Sequence, residues 1–452
     1  MTTTETPTPD ETAPPGETEP LADVKHTLSA MKTFLVSGVG TGLEFYDFLI
    51  YGLAAALAFG KVFFPSEDPW IGIMLGFATF GTGFFARPVG GMVIGHFGDK
   101  IGRRKMLILT LILMGVSTFT VGCLPGYATL GVWAPILLVC LRLIQGFAAG
   151  GEWGGAALYG TESAPPNRRG LWGSFTSMGI GLGSLLGTGV FALTSAAYGG
   201  NMADFGWRIP FWLGGLVVLV ALVARYIVME KDVKDAHSVP KIPLADAIRH
   251  RPKQLLLGLG VSYGYNTIAY VGFTFLLSYV TQFGYDKTLS LIAQLLYCAV
   301  IMISAPLAAY TSDRIGRKPM MVIGAISATA MIFGFFWMVS GGSVVGLMFG
   351  FAIAGFTTGF MQGPIPGFLS EQFPARIRYT GMSTAYQLGA AVGGGTAAMV
   401  AAWLLLTFDK NPVSVALYGA AAMLVLAVCS LLLKETSKMS LAEIDAGPGG
   451  KA

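Results

Sequence analysis

The sequence has few charged residues, and this scarcity decides its broad class. Charged side chains make up 12% of the chain, whereas an average soluble domain has about 25%. Hydrophobic residues make up 53% and the mean hydropathy is +0.63. These values exclude an ordinary soluble domain and predict an integral membrane protein surrounded by a lipid bilayer. The net charge of +4 comes from basic residues between apolar runs, so we expect no nucleic-acid partner.

Cysteine and histidine are rare as well, and neither forms the pattern of a site. The four cysteines lie in apolar segments at unrelated spacings, which predicts neither a disulfide framework nor a metal site. The sequence has no Gly-x-Ser-x-Gly, no paired intramembrane histidines and no metal-ligand cluster. We therefore expect a protein that is not an enzyme and that holds no metal or other cofactor.

Twelve apolar runs of about twenty residues or more predict an all-α membrane protein with twelve transmembrane helices. We place these runs at residues 33–59, 70–96, 106–124, 131–161, 171–197, 208–230, 254–283, 288–310, 320–339, 343–371, 377–406 and 413–434. Lysine and arginine concentrate after the even-numbered runs two, four, eight and ten and in the central hydrophilic stretch. Because basic loops stay on the cytoplasmic side, both termini are predicted to be cytoplasmic.

The runs divide the chain into five parts. These are a disordered cytoplasmic tail (1–30), an N-terminal six-helix bundle (31–230), a central cytoplasmic loop (231–253), a C-terminal six-helix bundle (254–434) and a cytoplasmic tail (435–452). The first 24 residues are rich in threonine, proline and glutamate and contain no basic residue. We therefore expect no cleavable signal peptide, and a first helix that is retained.

A short charged motif occurs twice. Residues 98–105, GDKIGRRK, return as residues 312–319, SDRIGRKP, about 214 residues later. Residues 162–170, ESAPPNRRG, are echoed by residues 371–381, EQFPARIRYTG, in their Glu, Pro, Arg and Gly. Two matched pairs at nearly the same offset indicate two homologous halves, an arrangement that many membrane transporters share.

Twelve predicted spans in two halves, with this doubled motif after spans two and eight, resemble the major facilitator superfamily over residues 30–435. More narrowly, residues 43–48, LEFYDF, and 142–155, RLIQGFAAGGEWGG, are similar to the metabolite:proton symporter family. That family includes transporters of shikimate, 2-oxoglutarate, citrate, proline and betaine. The resemblance implies two pseudo-symmetric six-helix bundles and proton-coupled uptake of a small organic acid or similar metabolite by alternating access.

The resemblance has one departure and leaves two alternatives. Osmosensing members of the family carry a long C-terminal coiled coil, whereas this chain has no sustained heptads after its last span, so that kind of osmosensing is not expected. Proton-driven efflux of a drug or metabolite is one alternative, and span five lacks the Gly-Pro pair that is usual in such antiporters. A non-transporting membrane sensor is the other, although the tails are too short for an added signalling domain. We expect the protein to work as a monomer.

Ionisable side chains inside a membrane are costly unless they are paired or wet, so each one is a functional candidate. Five lie well inside the predicted spans, all in the first half: Glu44, Asp47, Arg87, Arg142 and Glu152. Counting about 1.5 Å per helical residue places Glu44 level with Arg87, and Asp47 level with Arg142 nearer the membrane centre. The sequence therefore predicts two buried pairs.

These charges suggest a coupled site. Since the four histidines lie in tails, loops or at a span end, the proton carrier should be a carboxylate, with Asp47, Glu44 and Glu152 as candidates. Arginine binds a carboxylate with two parallel hydrogen bonds. The candidates for substrate binding in this half are Arg142, Gln145, Tyr51 and Arg87. The alternative is that each pair is a permanent buried salt bridge that fixes helix packing.

The second half has no charge deep within its spans, so its polar side chains are candidates for recognising uncharged groups of the substrate. They are Tyr263, Asn266, Tyr270, Gln294, Tyr297, Gln362, Tyr386 and Gln387. Hydrogen bonds between helices, or aromatic belts at the interface, are the alternative.

The two matched motif pairs predict a cytoplasmic gate that closes one face and opens on rearrangement. Its candidate residues are Gly98, Asp99, Arg103, Arg104, Asp313, Arg317, Glu162, Arg169, Glu371 and Arg378. The acidic residues can cap a helix or pair with an arginine of a neighbouring helix. The alternative is that the basic residues only set the topology.

Overall fold

The chain forms a bundle of helices. A computed structural model describes residues 30–31, 33–101, 103–150, 152–165, 167–228 and 243–446. Within these ranges there are twelve long helices. The first six are α1 (Phe34–Val39, Gly40–Ala54, Ala55–Phe59 and Gly60–Val62), α2 (Pro69–Ile101), α3 (Arg103–Cys123), α4 (Trp133–Ala149 and Glu152–Glu162), α5 (Arg169–Tyr198) and α6 (Arg208–Val228).

The second six repeat this order after a short helix at Pro243–His250. They are α7 (Pro252–Tyr270, Val271–Phe275 and Leu276–Gln282), α8 (Lys287–Ile315), α9 (Arg317–Ser340), α10 (Val344–Gln362 and Ile365–Ser370), α11 (Ala375–Val392 and Gly394–Thr407) and α12 (Val413–Leu432). By length and composition, nine helices of the described chain are apolar enough to cross a membrane. The predicted fold class, an all-α membrane protein built from two six-helix halves, is confirmed.

The two halves meet through equivalent helices. α5 packs on α8, and α2 packs on α11. α1 and α7, the first helices of the halves, each contain a five-residue stretch of wider π-helical turns, Ala55–Phe59 and Val271–Phe275, and α1 has a further, six-residue one at Phe34–Val39. The five-residue stretches occupy matching places in the repeat, and wide turns of this kind are common at functional sites. The pseudo-symmetry therefore extends to a local distortion beside the centre of the molecule.

Glycine allows some helices to approach each other closely. A Cβ atom on Gly179 of α5 would lie 1.9 Å from the carbonyl oxygen of Gly38 in α1. A Cβ atom on Gly90 of α2 would lie 1.9 Å from the carbonyl oxygen of Phe147 in α4. No larger side chain fits at either crossing, so both contacts depend on the missing side chain.

Both copies of the doubled motif are largely helical. Residues 98–101 continue α2, and α3 begins at Arg103. In the second copy α8 continues to Ile315 and α9 begins at Arg317, with Gly316 between them at φ 111°. Helices extend past the apolar segment because their backbone hydrogen bonds are internal and remain satisfied in water. Only glycine adopts such a positive φ without strain, which explains the glycine in the turn.

Short helices occur within the predicted central loop and the predicted C-terminal tail. Pro243–His250 lies within the predicted central loop, and Leu441–Ala446 lies within the predicted C-terminal tail. The predicted N-terminal tail up to residue 29, and residues 229–242 of the central loop, are outside the described residues. The helix at Leu441–Ala446 contacts the candidate gate.

Candidate functional site

A fully buried cluster of polar side chains joins α1, α3 and α4. The Asp47 carboxylate accepts hydrogen bonds from the hydroxyl of Thr118 and from Gln145 Nε2, the latter at 3.4 Å. Gln145 Nε2 also donates to Thr118 at 2.9 Å, while its Oε1 accepts from Arg142 Nη1 at 3.2 Å. Gln145 therefore connects the aspartate to the arginine.

The direct pairing predicted for Asp47 and Arg142 is wrong. Among the described ion pairs, none joins these two side chains within 4.0 Å. Asp47 and Arg142 belong to one cluster, as their equal predicted depths in the membrane suggest. The side-chain amide of Gln145, one helical turn from Arg142, lies between them. The charges are thus coupled through a neutral group.

The Arg142 guanidinium is enclosed by aromatic rings. Its central carbon lies 4.0 Å from the ring centroid of Phe48, 4.3 Å from Tyr51 and 4.9 Å from Phe80. Its Nε donates to the Phe80 carbonyl at 3.4 Å. Within the described residues, Nη2 of Arg142 and Oδ2 of Asp47 have no hydrogen-bond partner although both are buried. A buried polar atom without a partner is costly in an apolar interior. Nη2 of Arg142 therefore favours an added acceptor, and Oδ2 of Asp47 favours an added proton or donor.

The predicted pairing of Glu44 with Arg87 is present in the structure. Arg87 Nη2 lies 3.5 Å from Glu44 Oε1, and both side chains are almost completely buried. The Arg87 guanidinium lies 3.8 Å from the centroid of Phe48. The Phe48 ring thus contacts two guanidinium groups, those of Arg87 and Arg142, and the attraction of a cation to a ring face stabilises both.

A small cavity lies where the halves meet beside this cluster. It measures about 10 Å³, roughly the space for one water molecule. It is lined by Phe45, Phe48, Leu49, Phe80, Ser184, Tyr270, Phe273 and Thr274. Tyr51 lies behind this lining, and its hydroxyl donates to Thr79 at 3.0 Å. The site is therefore collapsed onto its own aromatic rings in this conformation.

The candidates of the second half divide into two groups. Tyr270 lines the cavity, and Gln294 Nε2 donates to the carbonyl of Phe273, another lining residue, at 3.3 Å. Tyr297 donates to Thr358 at 3.2 Å and packs its ring against Phe273. Tyr270 therefore lines the cavity, while Gln294 and Tyr297 lie behind its wall and contact Phe273.

The other candidates of this half make contacts within a helix or between helices. Asn266 donates to Ser262 within α7, and Gln362 of α10 donates to the carbonyl of Ser177 in α5 at 3.2 Å. Tyr263 lies beside Tyr418 of α12, close enough for the two side chains to interact electrostatically. The structure places Tyr263 beside α12, whereas Tyr270 of the same helix lines the cavity. For Tyr263 the alternative interpretation, a contact between helices, therefore fits its placement better.

Between the cavity and one end of the bundle, a flat aromatic contact joins the halves. The rings of Trp153 in α4 and Tyr386 in α11 stack at 3.4 Å between centroids, with an interplanar angle of 9°. Gln387 Nε2 next to it donates to the carbonyl of Gly150 at 3.4 Å. This layer separates the cavity from the charged end of the bundle.

At that end, which we call the charged face, acidic and basic side chains connect the two halves. The Asp313 carboxylate of α8 accepts from the backbone N–H groups of Gly170 and Leu171, at 2.8 and 3.0 Å, and so caps the first turn of α5. Asp313 also pairs with Arg317 at 2.7 Å. Asp313, the acidic residue in the second copy of the motif, thus contacts the opposite half, as expected if this acid caps a neighbouring helix.

Glutamates and arginines complete the contact. Arg317 pairs with Glu371 at 3.1 Å, and Arg169 of the first half lies 3.6 Å from the same carboxylate. Arg378 pairs with Glu162 of the first half at 3.1 Å. The gate network is therefore Glu162, Arg169, Asp313, Arg317, Glu371 and Arg378, six of the ten residues predicted for it. It closes the charged face.

The C-terminal segment binds the same face. The Glu435 carboxylate accepts from the backbone N–H groups of Arg317 and Lys318 at the start of α9, at 3.0 and 2.9 Å. Burial alone would raise the pKa of Glu435, but these N–H groups and that of Ser437 hold its pKa below the usual 4.5. Arg169 donates to the Met439 carbonyl across the halves. The tail therefore reinforces the closed face.

The opposite end, the far face, is closed by weaker contacts. Ser278 of α7 donates to the carbonyl of Ala56 in α1 at 3.4 Å, next to the wide turns of both helices. Ser195 and Thr288 share a hydrogen bond of 3.3 Å between α5 and α8. Since the halves touch at both ends around the small cavity, the conformation is occluded.

Some predicted site residues have side chains outside the described part of the structure. These are Asp99, Arg103, Arg104 and Glu152. Gly98 is described only as part of the backbone of α2. Their assignments stay predictions, and no contact is attributed to them.

Sequence reasoning missed four contributors to the site. Thr118 looks like an ordinary residue of an apolar span, and nothing in the sequence marks it as a donor to Asp47. Phe48 and Trp153 lie in the two segments that resemble the symporter family, residues 43–48 and 142–155, but the resemblance does not show that one contacts two arginines or that the other stacks on Tyr386. Glu435 could have been noticed as an acid directly after the last span, in a chain whose acids are few.

Comparisons with known proteins agree with this architecture. The model of the Major Facilitator Superfamily matches residues 38–398. The Shikimate transporter of Escherichia coli K12 is 38% identical over 419 residues, which cover 90% of this chain and 95% of that protein. The Proline/betaine transporter of the same organism is 31% identical over 426 residues, covering 91% of this chain and 84% of that one.

A solved structure shares the fold. The proton:xylose symporter XylE bound to 6-bromo-6-deoxy-D-glucose matches with a TM-score of 0.70 at 21% identity, covering 93% of this chain and 99% of that one. At this identity the likeness shows the fold alone. The family model spans most of the chain and the two relatives exceed 30% identity over about nine-tenths of it. The protein is a member of the major facilitator superfamily.

Proposed function

We propose that this protein is a secondary active transporter that takes up a small organic acid or similar metabolite together with a proton. It works by alternating access in the cell membrane, as a monomer, with the charged face and both termini in the cytoplasm. The basic side chains of that face support the orientation, because positively charged loops remain on the cytoplasmic side. Relatives named for the transport of shikimate and of proline and betaine support a metabolite as the solute.

One observation carries the proposal: two buried, complementary atoms lack partners in a cluster that crosses three helices. Asp47 Oδ2 has no hydrogen-bond donor and Arg142 Nη2 has no acceptor within the described residues. A proton on Oδ2 removes the charge of Asp47. A carboxylate of the substrate then supplies the negative charge that Arg142 requires. Proton and anion therefore bind best together, which is the coupling that symport needs.

The surroundings of Asp47 support this role. Thr118 and Gln145 donate to its other oxygen, so they hold the carboxyl group in place in either protonation state. Arg142 and Tyr46 are the charged and titratable groups that act on it electrostatically. Because Gln145 separates Asp47 from Arg142, the aspartate can change its charge without breaking a direct salt bridge.

The two sets of contacts between the halves supply the moving parts. The gate network closes the charged face, while the contacts of α1 with α7 close the far face. When proton and solute are both bound, the cluster has no net charge. Either set of contacts can then open without leaving excess charge in the membrane. Glu44 and Arg87 stay paired beside it as a second carboxylate–arginine unit.

The test is uptake by purified protein in liposomes. With the interior alkaline, a transported organic acid accumulates above its external concentration, and a protonophore abolishes the accumulation. Accumulation that is unaffected by the protonophore contradicts proton coupling. Accumulation only with the interior acidic assigns the protein to proton-driven antiport instead, and binding without flux assigns it to a sensor.

A further inference from the structure

Within the described part of the chain, Gln145 is the side chain whose hydrogen bonds reach both charges of the buried cluster. Its Oε1 accepts from Arg142 Nη1 at 3.2 Å, while its Nε2 donates to Asp47 at 3.4 Å and to Thr118 at 2.9 Å. An amide has one accepting end and one donating end. Turning the amide over would place its NH2 group against the guanidinium and its oxygen against the carboxylate. The charges of Asp47 and Arg142 therefore set the orientation of Gln145.

The nitrogen atoms of Arg142 determine how a solute carboxylate can bind to it. Nε already donates to the Phe80 carbonyl at 3.4 Å, and Nη2 has no acceptor within the described residues. A two-pronged bond to a carboxylate therefore uses Nη2 together with Nη1, the nitrogen that donates to Gln145. Two acceptors, the solute and Gln145 Oε1, then lie beside one nitrogen and repel each other. Solute binding therefore weakens the hold of Arg142 on the amide.

The donating end of the amide responds to the charge of Asp47. A charged carboxylate attracts Nε2 more strongly than a protonated carboxyl group does. The Thr118 hydroxyl has a single hydrogen, which it can donate either to Asp47 or to the Met114 carbonyl, the latter at 2.8 Å. Thr118 therefore keeps an acceptor whether or not Asp47 is charged. Protonation of Asp47 thus loosens mainly Gln145.

We propose that Gln145 is the positioning residue that links the binding of the proton to the binding of the solute. While Asp47 is charged and no solute is bound, the amide is held at both ends and occupies a nitrogen of Arg142. A proton on Asp47 releases the donating end, and a solute on Arg142 releases the accepting end, so each event favours the other. Such a coupling between two binding events is reciprocal. This inference rests on the proposed proton symport and names the residue through which the two sites communicate.

Few other charges act on this link. Arg142 and the neighbouring Tyr46 interact electrostatically with Asp47. α3, α5 and α6 carry Asp, Glu, Lys and Arg only near their ends. Glu152 follows Gln145 by seven residues on α4, about 10 Å along the helix axis, and its side chain lies outside the described residues. The remaining charged or titratable groups beside the cluster are Glu44 and Tyr51 of α1, Arg87 of α2 and Tyr270 of α7.

A solute-free titration tests the donating end of the amide. Infrared difference spectra of the protein in liposomes record the band of a protonated carboxyl group, and its loss in Asp47→Asn separates this band from those of Glu44 and Glu152. Gln145→Met keeps the length of the side chain but removes both ends of the amide. The midpoint of the titration is expected to move roughly one pH unit toward alkaline pH, because the charged form loses a donor. An unchanged midpoint overturns the proposal.

The pH dependence of solute binding tests the link itself. The probe is whichever of shikimate and 2-oxoglutarate accumulates in wild-type liposomes with an alkaline interior. In the wild type, KM is expected to be lower at acidic pH, where Asp47 is protonated. In Gln145→Met the ratio of KM at alkaline pH to KM at acidic pH should fall roughly tenfold, because no amide then occupies Arg142 at either pH. A rise of KM by the same factor at both pH values would show that Gln145 only contacts the solute, and would overturn the link.

Two further variants separate the link from a general loosening of the cluster. Gln145→Asn retains an amide that is one methylene too short to bond to both partners, and it is expected to act like Gln145→Met. Thr118→Val removes the other donor of Asp47 but leaves the bond between Gln145 and Arg142. It should therefore move the titration midpoint and leave the KM ratio near the wild-type value. Equal falls of the KM ratio in Gln145→Met and Thr118→Val would overturn the specific role of Gln145.

A control and the wild type distinguish this link from the transport function on which it rests. Gln372→Met makes the same change at another buried glutamine, whose amide donates to the Lys434 carbonyl, and should alter neither value. If accumulation is proton-driven and Gln145→Met keeps the wild-type KM ratio, symport stands and only the link is wrong. If wild-type accumulation is insensitive to a protonophore, or neither probe accumulates, the proposed symport is overturned and the link with it.

Discussion

Replacement of Arg169 by methionine should shift the protein toward a conformation with an open charged face. Arg169 belongs to the first half, and it contacts Glu371 and the Met439 carbonyl of the second half. Methionine retains an apolar side chain of similar length but removes the cation. The change therefore removes contacts between the halves and leaves the core of each half intact.

The size of the shift follows from what remains after the change. Glu371 keeps Arg317 and the hydroxyl of Thr436, so no unpaired buried charge is created and the full penalty of a broken buried ion pair does not apply. The loss is that of one hydrogen bond from a charged donor plus a long ion contact, about 2 kcal/mol. That energy changes the ratio of open to closed molecules about 30-fold.

Distances between spin labels on the two halves measure this ratio. Ser163 in the first half and Arg314 in the second are exposed positions on the charged face. If about 1% of wild-type molecules have an open charged face, about 20% should have one in Arg169→Met. The open molecules are visible as a longer distance between the two labels. The spin labels are attached to cysteines introduced at these two positions, in a variant whose four native cysteines have been replaced.

A matched control lies on the same face. Arg376 pairs at 3.4 Å with Asp246 of the short helix Pro243–His250, and Arg376 is 57% exposed. Arg376→Met should leave the distances unchanged, because this exposed pair does not join the first half to the second and contributes little. Equal distance distributions in the wild type and in Arg169→Met would refute the gate assignment, as would an equal shift in both variants.

Three further predictions concern packing, substrate binding and the tail. Gly90→Ala should lower the melting temperature in detergent, because its Cβ would lie 1.9 Å from the Phe147 carbonyl oxygen. Gly334→Ala is the control and should not lower it, because no atom lies within 4 Å of that Cβ. Equal melting temperatures of the two variants would contradict the close crossing. Arg142→Lys keeps the charge but loses the fork, so KM for the transported acid should rise roughly tenfold, and an unchanged KM would contradict the clamp. Since the folded-state pKa of Glu435 is lowered, its contribution is complete above pH 4.5 and is lost as the pH falls through the lowered pKa. The hydrogen-exchange protection of the tail, taken relative to the intrinsic exchange rate at each pH, should therefore fall on acidification in the wild type, and fall less in Glu435→Gln, whose tail is loosened already at neutral pH.

Much of the architecture could be predicted from the sequence because hydrophobic run length and basic residues act through the membrane itself. Run length follows from bilayer thickness, and the doubled motif reveals the two halves. Depth counting also brought Glu44 to Arg87 correctly. These features depend only on the position of a residue along the membrane normal. In a transmembrane helix this position follows from the residue number, because each residue adds about 1.5 Å.

The remaining features depend on rotation about the helix axes and on tertiary contacts. Depth counting placed Asp47 level with Arg142 but could not show that Gln145 lies between them. Tyr263 shares a helix with Tyr270, yet only packing shows that it contacts α12. The role of Phe48 between two arginines requires three helices to be in place. Such relations cannot be derived from the spacing within one helix.

The account depends most directly on Asp47 as the side chain that carries the transported proton. Asp47→Asn has nearly the same shape and keeps an oxygen for Thr118, but it cannot gain or lose the proton. We expect the variant to lose accumulation driven by a pH gradient while it still exchanges labelled for unlabelled solute across liposomes at equal pH. Accumulation at the wild-type level in Asp47→Asn would contradict the account.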